Sequence, residues 1–144
     1  MMNPRSIGFS EHQELAIRLQ QAGDVIRNHL DSVLSGHRVT FFQFSMLVML
    51  ASTTAWSPAR IARHMKVDPA LVTRALNKLE AEEWVQRTRS LEDRRGVIVS
   101  LTHRGDARLA QLCKAASEVL QARFGFLQDE DVVRLIAALT LMVS

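Results

Sequence analysis

Residues 57–79 read Ser57-Pro58-Ala59-Arg60-Ile61-Ala62-Arg63-His64-Met65-Lys66-Val67-Asp68-Pro69-Ala70-Leu71-Val72-Thr73-Arg74-Ala75-Leu76-Asn77-Lys78-Leu79, and one start signal occurs in them twice. Ser57 and Asp68 each bring a side-chain oxygen that accepts from the first turn of a helix. Each precedes a proline at the first helical position, where the missing N–H costs nothing. The reading is one short helix to about Met65, a tight turn at Lys66-Val67, and a second helix to roughly Ala81, a helix-turn-helix pair. On the second helix Val72, Ala75, Leu76 and Leu79 form an apolar stripe. Ala70, Thr73, Arg74 and Asn77 are left on the opposite face at i, i+3, i+4 and i+7.

After Glu83 the period changes from helical to two. Val85, Arg87 and Arg89 alternate with Gln86 and Thr88, and Val97, Val99 and Leu101 alternate with Ile98 and Ser100. The two strands flank a polar tip from Ser90 to Gly96, a hairpin whose end is expected to project into solvent. Upstream, Thr40-Phe41-Phe42-Gln43 is a capping box that opens a helix through Leu50, with Phe41, Phe44, Leu47, Val48 and Leu50 making it central. Further out, Ser10-Glu11-His12-Gln13 caps a long first helix to near Gly36. Thr102 caps a long helix striped by Leu109, Leu112, Ala116, Val119, Leu120 and Phe124, and Asp129 starts a last one through Val132, Ile136, Leu139 and Met142. That last helix is too apolar for the solvent-exposed edge of a monomer. The expected fold class is therefore mainly α with a small β-hairpin wing: a winged helix-turn-helix carrying long N- and C-terminal helices.

Composition agrees. The chain has 144 residues, 47% hydrophobic and 23% charged, the balance of one domain able to bury a core, and its six Gly and three Pro are too few for a sandwich or barrel. Its single cysteine, Cys113, rules out an intrachain disulfide, and no basic-then-apolar leader is evident, so a cytoplasmic setting is expected. Cys113 reads as a small core residue beside Leu112. Val39 to Ala59 carries no charge over 21 positions, but its continuous apolar run is only Met46 to Ala51, far short of the ~20 residues of a membrane span. The histidines, His12, His29, His37, His64 and His103, show no metal-ligand spacing, so neither a metal nor a cofactor is expected. Residues 55–105 hold ten Lys or Arg against six Asp or Glu, while the remainder holds eight against nine, which places the basic excess in the middle.

A central basic excess suits a segment facing an acidic polymer. The major groove of duplex DNA admits one helix, and Arg and Asn can pair bidentately with guanine and adenine there. Arg74 and Asn77 are the expected base readers, with Thr73 meeting a thymine methyl or a phosphate and with Ala70 and Lys78 on the same helix. Arg94 and Arg95 at the hairpin tip are expected in the adjacent minor groove, and Ser57, Arg60, Arg63, Lys66, Arg87 and Arg89 at phosphates. Taken singly, any of these is also what an ordinary solvated helix face carries; the hairpin beside the helix pair favours nucleic acid.

With those residues in view, the sequence resembles the MarR-type winged-helix transcriptional regulators. The resemblance runs through Gln43 and Leu47, Ser57-Pro58-Ala59-Arg60-Ile61-Ala62, Asp68-Pro69-Ala70-Leu71-Val72-Thr73-Arg74, Leu79-Glu80, Val85-Gln86-Arg87, Asp93-Arg94-Arg95 and Leu101-Thr102-His103-Arg104-Gly105. It implies that Asp93 braces and Arg95 arms the wing tip. It also implies a homodimer joined through residues 10–36 and 102–144, a winged helix-turn-helix at 40–101 within one domain over 1–144, and a pseudo-palindromic double-stranded operator. A small aromatic or phenolic effector often accompanies that arrangement, at a site the sequence leaves unknown. There are two departures. Glu83-Trp84-Val85 stands where the family usually has Gly-Leu-Val, placing Glu at a turn that favours positive φ. The first helix also lacks the cysteine of the peroxide-sensing members.

The expected function is thus a homodimeric, sequence-specific DNA-binding regulator, a repressor released by a small ligand, with activation left open. The alternative is a winged helix used for protein contact without an operator. An enzyme is not expected: there are no paired carboxylates with a pocket, no phosphate loop and no Ser, His and Asp arrangement.

Overall fold

The computed structural model describes residues 10–92 and 96–144, which form helices α1 (Glu11–Ser35), α2 (Phe41–Leu50), α3 (Pro58–Met65) and α4 (Pro69–Ala81), strands β1 (Val85–Arg89) and β2 (Val97–Leu101), then α5 (His103–Phe124) and α6 (Asp129–Val143). The helix starts are capped as their residues require. Ser10 Oγ accepts from Gln13 N at 3.2 Å while Gln13 Oε1 accepts from Ser10 N at 2.6 Å. Thr40 and Gln43 repeat this reciprocal pair at 3.1 Å each way. Ser57 Oγ accepts from Arg60 N at 3.1 Å and Asp68 Oδ1 from Ala70 N at 2.7 Å. Each such cap is worth about 1 kcal/mol.

The chain divides into two units, residues 10–30 with Ala116–Ser144, and Asp31–Ala115. In the second, α3 lies against α4, α4 against β1, and both α2 and α3 against β2. Leu34, Met46, Leu47, Ile61, Val72, Leu76, Leu79, Val85 and Leu112 are fully buried, at roughly 1.5–3 kcal/mol for each large side chain removed from water. On α2 the inward stripe is Gln43, Met46, Leu47 and Leu50, at i, i+3, i+4 and i+7, joined by Phe44. Val48, expected inside, falls off that stripe and is 47% exposed. Gln43 tolerates burial because its Oε1 holds the Thr40 amide. The Asp31 carboxylate accepts from Phe41 N at 2.7 Å and so serves the same helix start from α1.

The strands pair antiparallel with Val85 opposite Leu101, Arg87 opposite Val99 and Arg89 opposite Val97. Toward the tip, Ser90 N donates to Gly96 O at 2.9 Å. Val99 N donates to Trp56 O at 2.7 Å, so a residue two before the start of α3 pairs with β2 as a one-residue third strand. Trp56 is buried there, with its indole N–H on Ser52 Oγ at 3.1 Å and the His64 ring edge-on at 5.1 Å. Val97, on the same face as Val99, is exposed; it sits tipward of Val99, the last buried residue of β2 toward the tip.

The turn from α4 into β1 puts Glu83 at φ 61, a left-handed conformation that costs a side-chain-bearing residue about 1 kcal/mol or more. Three contacts hold it. Thr102 Oγ donates to Glu83 O at 2.6 Å, Thr102 N donates to Trp84 O at 3.0 Å, and Arg104 pairs with the Glu83 carboxylate at 2.7 Å. Thr102 Oγ also accepts from Gly105 N at 2.9 Å, which caps α5. Gly105 is required: a Cβ there would overlap the Trp84 carbonyl. Lys66, at φ 54, is the left-handed cap that turns α3 into α4. Arg108 reaches His37 O at 2.6 Å with its guanidinium 5.1 Å from the Trp84 ring centre.

Cys113 does not lie in the core. It is exposed, because Leu112 and Ala116, one turn apart, set the inward side of α5 and Cys113 follows a third of a turn later. In the first unit, Arg123 on α5 donates to His29 Nδ1 on α1 at 3.2 Å. α6 has no buried residue, and Val133 at 67% and Leu141 at 79% exposure stand out along it. Among the described residues, no helix is long and apolar enough to cross a membrane.

Candidate nucleic-acid interface

α4 separates its two faces as its spacing requires. Val72, Ala75, Leu76 and Leu79 are buried, while Ala70, Thr73, Arg74, Asn77 and Lys78 are exposed. Asp68 and Pro69 fix where the helix begins, and Leu76 and Leu79 fix its rotation, so the outward residues are presented by a supported rod. The Thr73 hydroxyl donates to Pro69 O at 3.0 Å, which uses its proton and leaves its oxygen as an acceptor on the exposed face.

The cations fall into two sets. Among the described residues, Arg63, Lys66, Arg74, Lys78 and Arg89 are exposed and make no side-chain hydrogen bond or ion pair. They are available to phosphates or base edges. Arg60 is committed in part: its guanidinium donates to Ala55 O at 3.1 Å and lies 5.3 Å from the Trp56 ring centre. Arg87 is committed more fully, donating to Asn77 Oδ1 at 2.9 Å and pairing with Glu80 at 3.1 Å. Ser57 uses its oxygen as an acceptor for the α3 cap and retains its O–H to donate. Asp93, Arg94 and Arg95, the expected wing residues, lie outside the described residues.

The structure therefore brings together Arg74, Asn77 and Lys78 on α4 with Arg87 on β1, and adds Glu80, which sequence reasoning missed. The available signal was its spacing: Glu80 sits three residues after Asn77, on the same side of α4, and the first strand to pack there carries an arginine. A cavity of about 460 Å³ adjoins this face, lined by Thr40, Phe42 and Gln43 from the start of α2 and Leu71, Arg74, Ala75 and Lys78 from α4. Its walls are mostly apolar, with two cations at the edge.

Residues 39–97 match the model of the MarR family. The chain is 30% identical, over 92% of its length and 98% of the relative's, to the HTH-type transcriptional repressor Rv2887 of Mycobacterium tuberculosis. It is 25% identical to the HTH-type transcriptional repressor MdtR of Bacillus subtilis, over 84% of this chain and 78% of that one. Among solved structures it is similar to a mutant MarR from Escherichia coli complexed with operator DNA, with a TM-score of 0.74 and 26% identity over 94% of this chain and 98% of that one. A MarR-family regulator from Rhodococcus shares the fold at a TM-score of 0.80 and 16% identity over 93% and 96% of the two chains. Together with a capped helix pair, an outward cationic face on α4 and an adjoining hairpin, these likenesses establish that the chain belongs to the MarR family of DNA-binding winged-helix transcriptional regulators.

Proposed function

We propose that this protein is a homodimeric repressor that occupies a pseudo-palindromic operator and leaves it when a small aromatic or phenolic ligand binds. The observation that carries the reading is the two-faced α4: its apolar half locks it to the body, and its free half offers Arg74, Asn77 and Lys78 together. Such a helix is suited to the major groove, where Arg74 reads base edges and the free cations Arg63, Lys66 and Arg89 meet phosphates. Two copies must present these helices ~34 Å apart to reach successive grooves, and the uncovered apolar residues of α6 supply the surface for joining them.

The cavity beside Arg74 and Lys78 supports the ligand part of the proposal. It is an open groove with apolar walls that suit an aromatic ring and two cations at its edge that suit a carboxylate or phenolate. A ligand there would engage Arg74, which the operator also needs, so the two would compete.

The test is selection of bound sequences from random duplex, followed by titration of the winner across salt concentrations and with phenolic acids. The expected result is an inverted repeat whose affinity falls steeply with salt and drops on adding the acid. Weak, salt-insensitive binding with no enriched sequence would instead indicate a winged helix that contacts protein.

A further inference from the structure

Arg87 lies on the same face of β1 as the buried Val85 and opposite the buried Val99, and its guanidinium is turned onto α4. One arm donates to Asn77 Oδ1 at 2.9 Å and Nε pairs with Glu80 at 3.1 Å. The side chain is only 32% exposed, and it is gripped by two groups one helical turn apart. A guanidinium carries five N–H donors and no acceptor, so the amide atom it faces is the oxygen and not the nitrogen. The orientation of the Asn77 amide is thereby set: one lone pair of its oxygen is taken by Arg87, and among the described residues its N–H pair has no acceptor.

This matters for reading bases. An asparagine recognises adenine bidentately by donating to N7 and accepting from the N6 amino group, and the second bond needs the amide oxygen. Here a charged donor already holds one of the two lone pairs of that oxygen, which weakens it as an acceptor for a second donor. What remains is a group that donates better than it accepts, matched to a base edge that only accepts. Guanine shows two acceptors, N7 and O6, on its major-groove edge, whereas adenine shows one acceptor beside a donor.

We propose that Arg87 is a specificity-determining residue that acts through Asn77, making it a reader of guanine instead of adenine at one position of each half-site. The assignment rests on the reading of α4 as a groove-binding helix. Glu80 serves as the positioning residue that keeps the guanidinium on α4.

Full-length wild type, Arg87→Met and Arg87→Lys are each taken through selection from random duplex, with affinities for the winning sequence and its single-base variants measured by fluorescence anisotropy at two salt concentrations. The wild type is expected to prefer guanine at the Asn77 position. Arg87→Met frees the oxygen and should move the adenine-to-guanine ratio there by about fivefold or more, leaving other positions unchanged. Arg87→Lys, which keeps a cationic donor for the oxygen, should retain the wild-type preference. Matching circular dichroism and melting temperature show that the variants fold, and Asn77→Ala, which needs no change at β1, should abolish the preference at the same position. The proposal is overturned if Arg87→Met lowers affinity equally for every duplex and flattens the salt dependence, since that marks a phosphate contact. It is equally overturned if neither preference nor affinity moves. A wild type that enriches no sequence at all removes the DNA reading itself, a result distinct from both.

Discussion

α4 and α6 are helices of similar length, 13 and 15 residues, with opposite relations to the rest of the chain. α4 buries Val72, Ala75, Leu76 and Leu79 and turns its polar residues outward, whereas α6 buries nothing and exposes Val133, Leu135, Ile136, Leu139, Leu141, Met142 and Val143. The sidedness of α4 is satisfied within one chain and that of α6 is not. Rigid backing of this kind suits the proposed recognition surface on α4, and its absence on α6 fits the proposed association surface.

The most disruptive way to break the contrast is Leu76→Ala. A fully buried leucine is lost from beneath α4, and about 2–5 kcal/mol of stability should go with it, read as a lower urea midpoint at unchanged slope. The double substitution Val133→Asp with Leu141→Asp should instead leave the fold and weaken self-association by about 2–4 kcal/mol, seen as monomers in sedimentation equilibrium. An unaltered monomer–dimer balance would show that α6 is covered by something else. Arg74→Ala, on the outward side of α4, should cost about 1–3 kcal/mol of operator affinity and relax base preference at one position while thermal melting stays put. Smallest is Arg104→Ala: its partner Glu83 is 73% exposed, so the ion pair contributes only about 0.5 kcal/mol, a shift of a few degrees in melting temperature at most.

How much was legible in the sequence follows from the range of each interaction. The capped starts at Thr40-Gln43, Ser57-Pro58 and Asp68-Pro69 are hydrogen bonds between residues two or three apart, so the boundaries of α2, α3 and α4 could be read directly. The rotation of α4 was equally legible, because four apolar residues on one stripe admit a single inward face. Long-range partners were not. Nothing local marks Asp31 as the acceptor for Phe41, or Trp56 as a strand partner of Val99, and the hold of Arg87 on Asn77 exists only once β1 is folded against α4. Cys113 was misplaced for a different reason: beside a buried leucine on a helix, a third of a turn separates core from solvent, and its neighbours left both sides open. At Glu83 the resemblance to the family implied a turn of positive φ, and the structure adds how Thr102 and Arg104 hold it.

The hydrogen bond from Val99 to Trp56 has an effect on how copies of the chain coexist at high concentration. With Trp56 on one side and β1 on the other, β2 is flanked on both sides at Val99, and the outer edge of the sheet is left to β1. Bare strand edges invite other chains to add on and so seed aggregates. β1 is five residues long and, past Val85, consists of Gln86, Arg87, Thr88 and Arg89. The charge of Arg89 at that edge, unpaired among the described residues, therefore repels a second edge of the same kind, which disfavours fibre-like stacking.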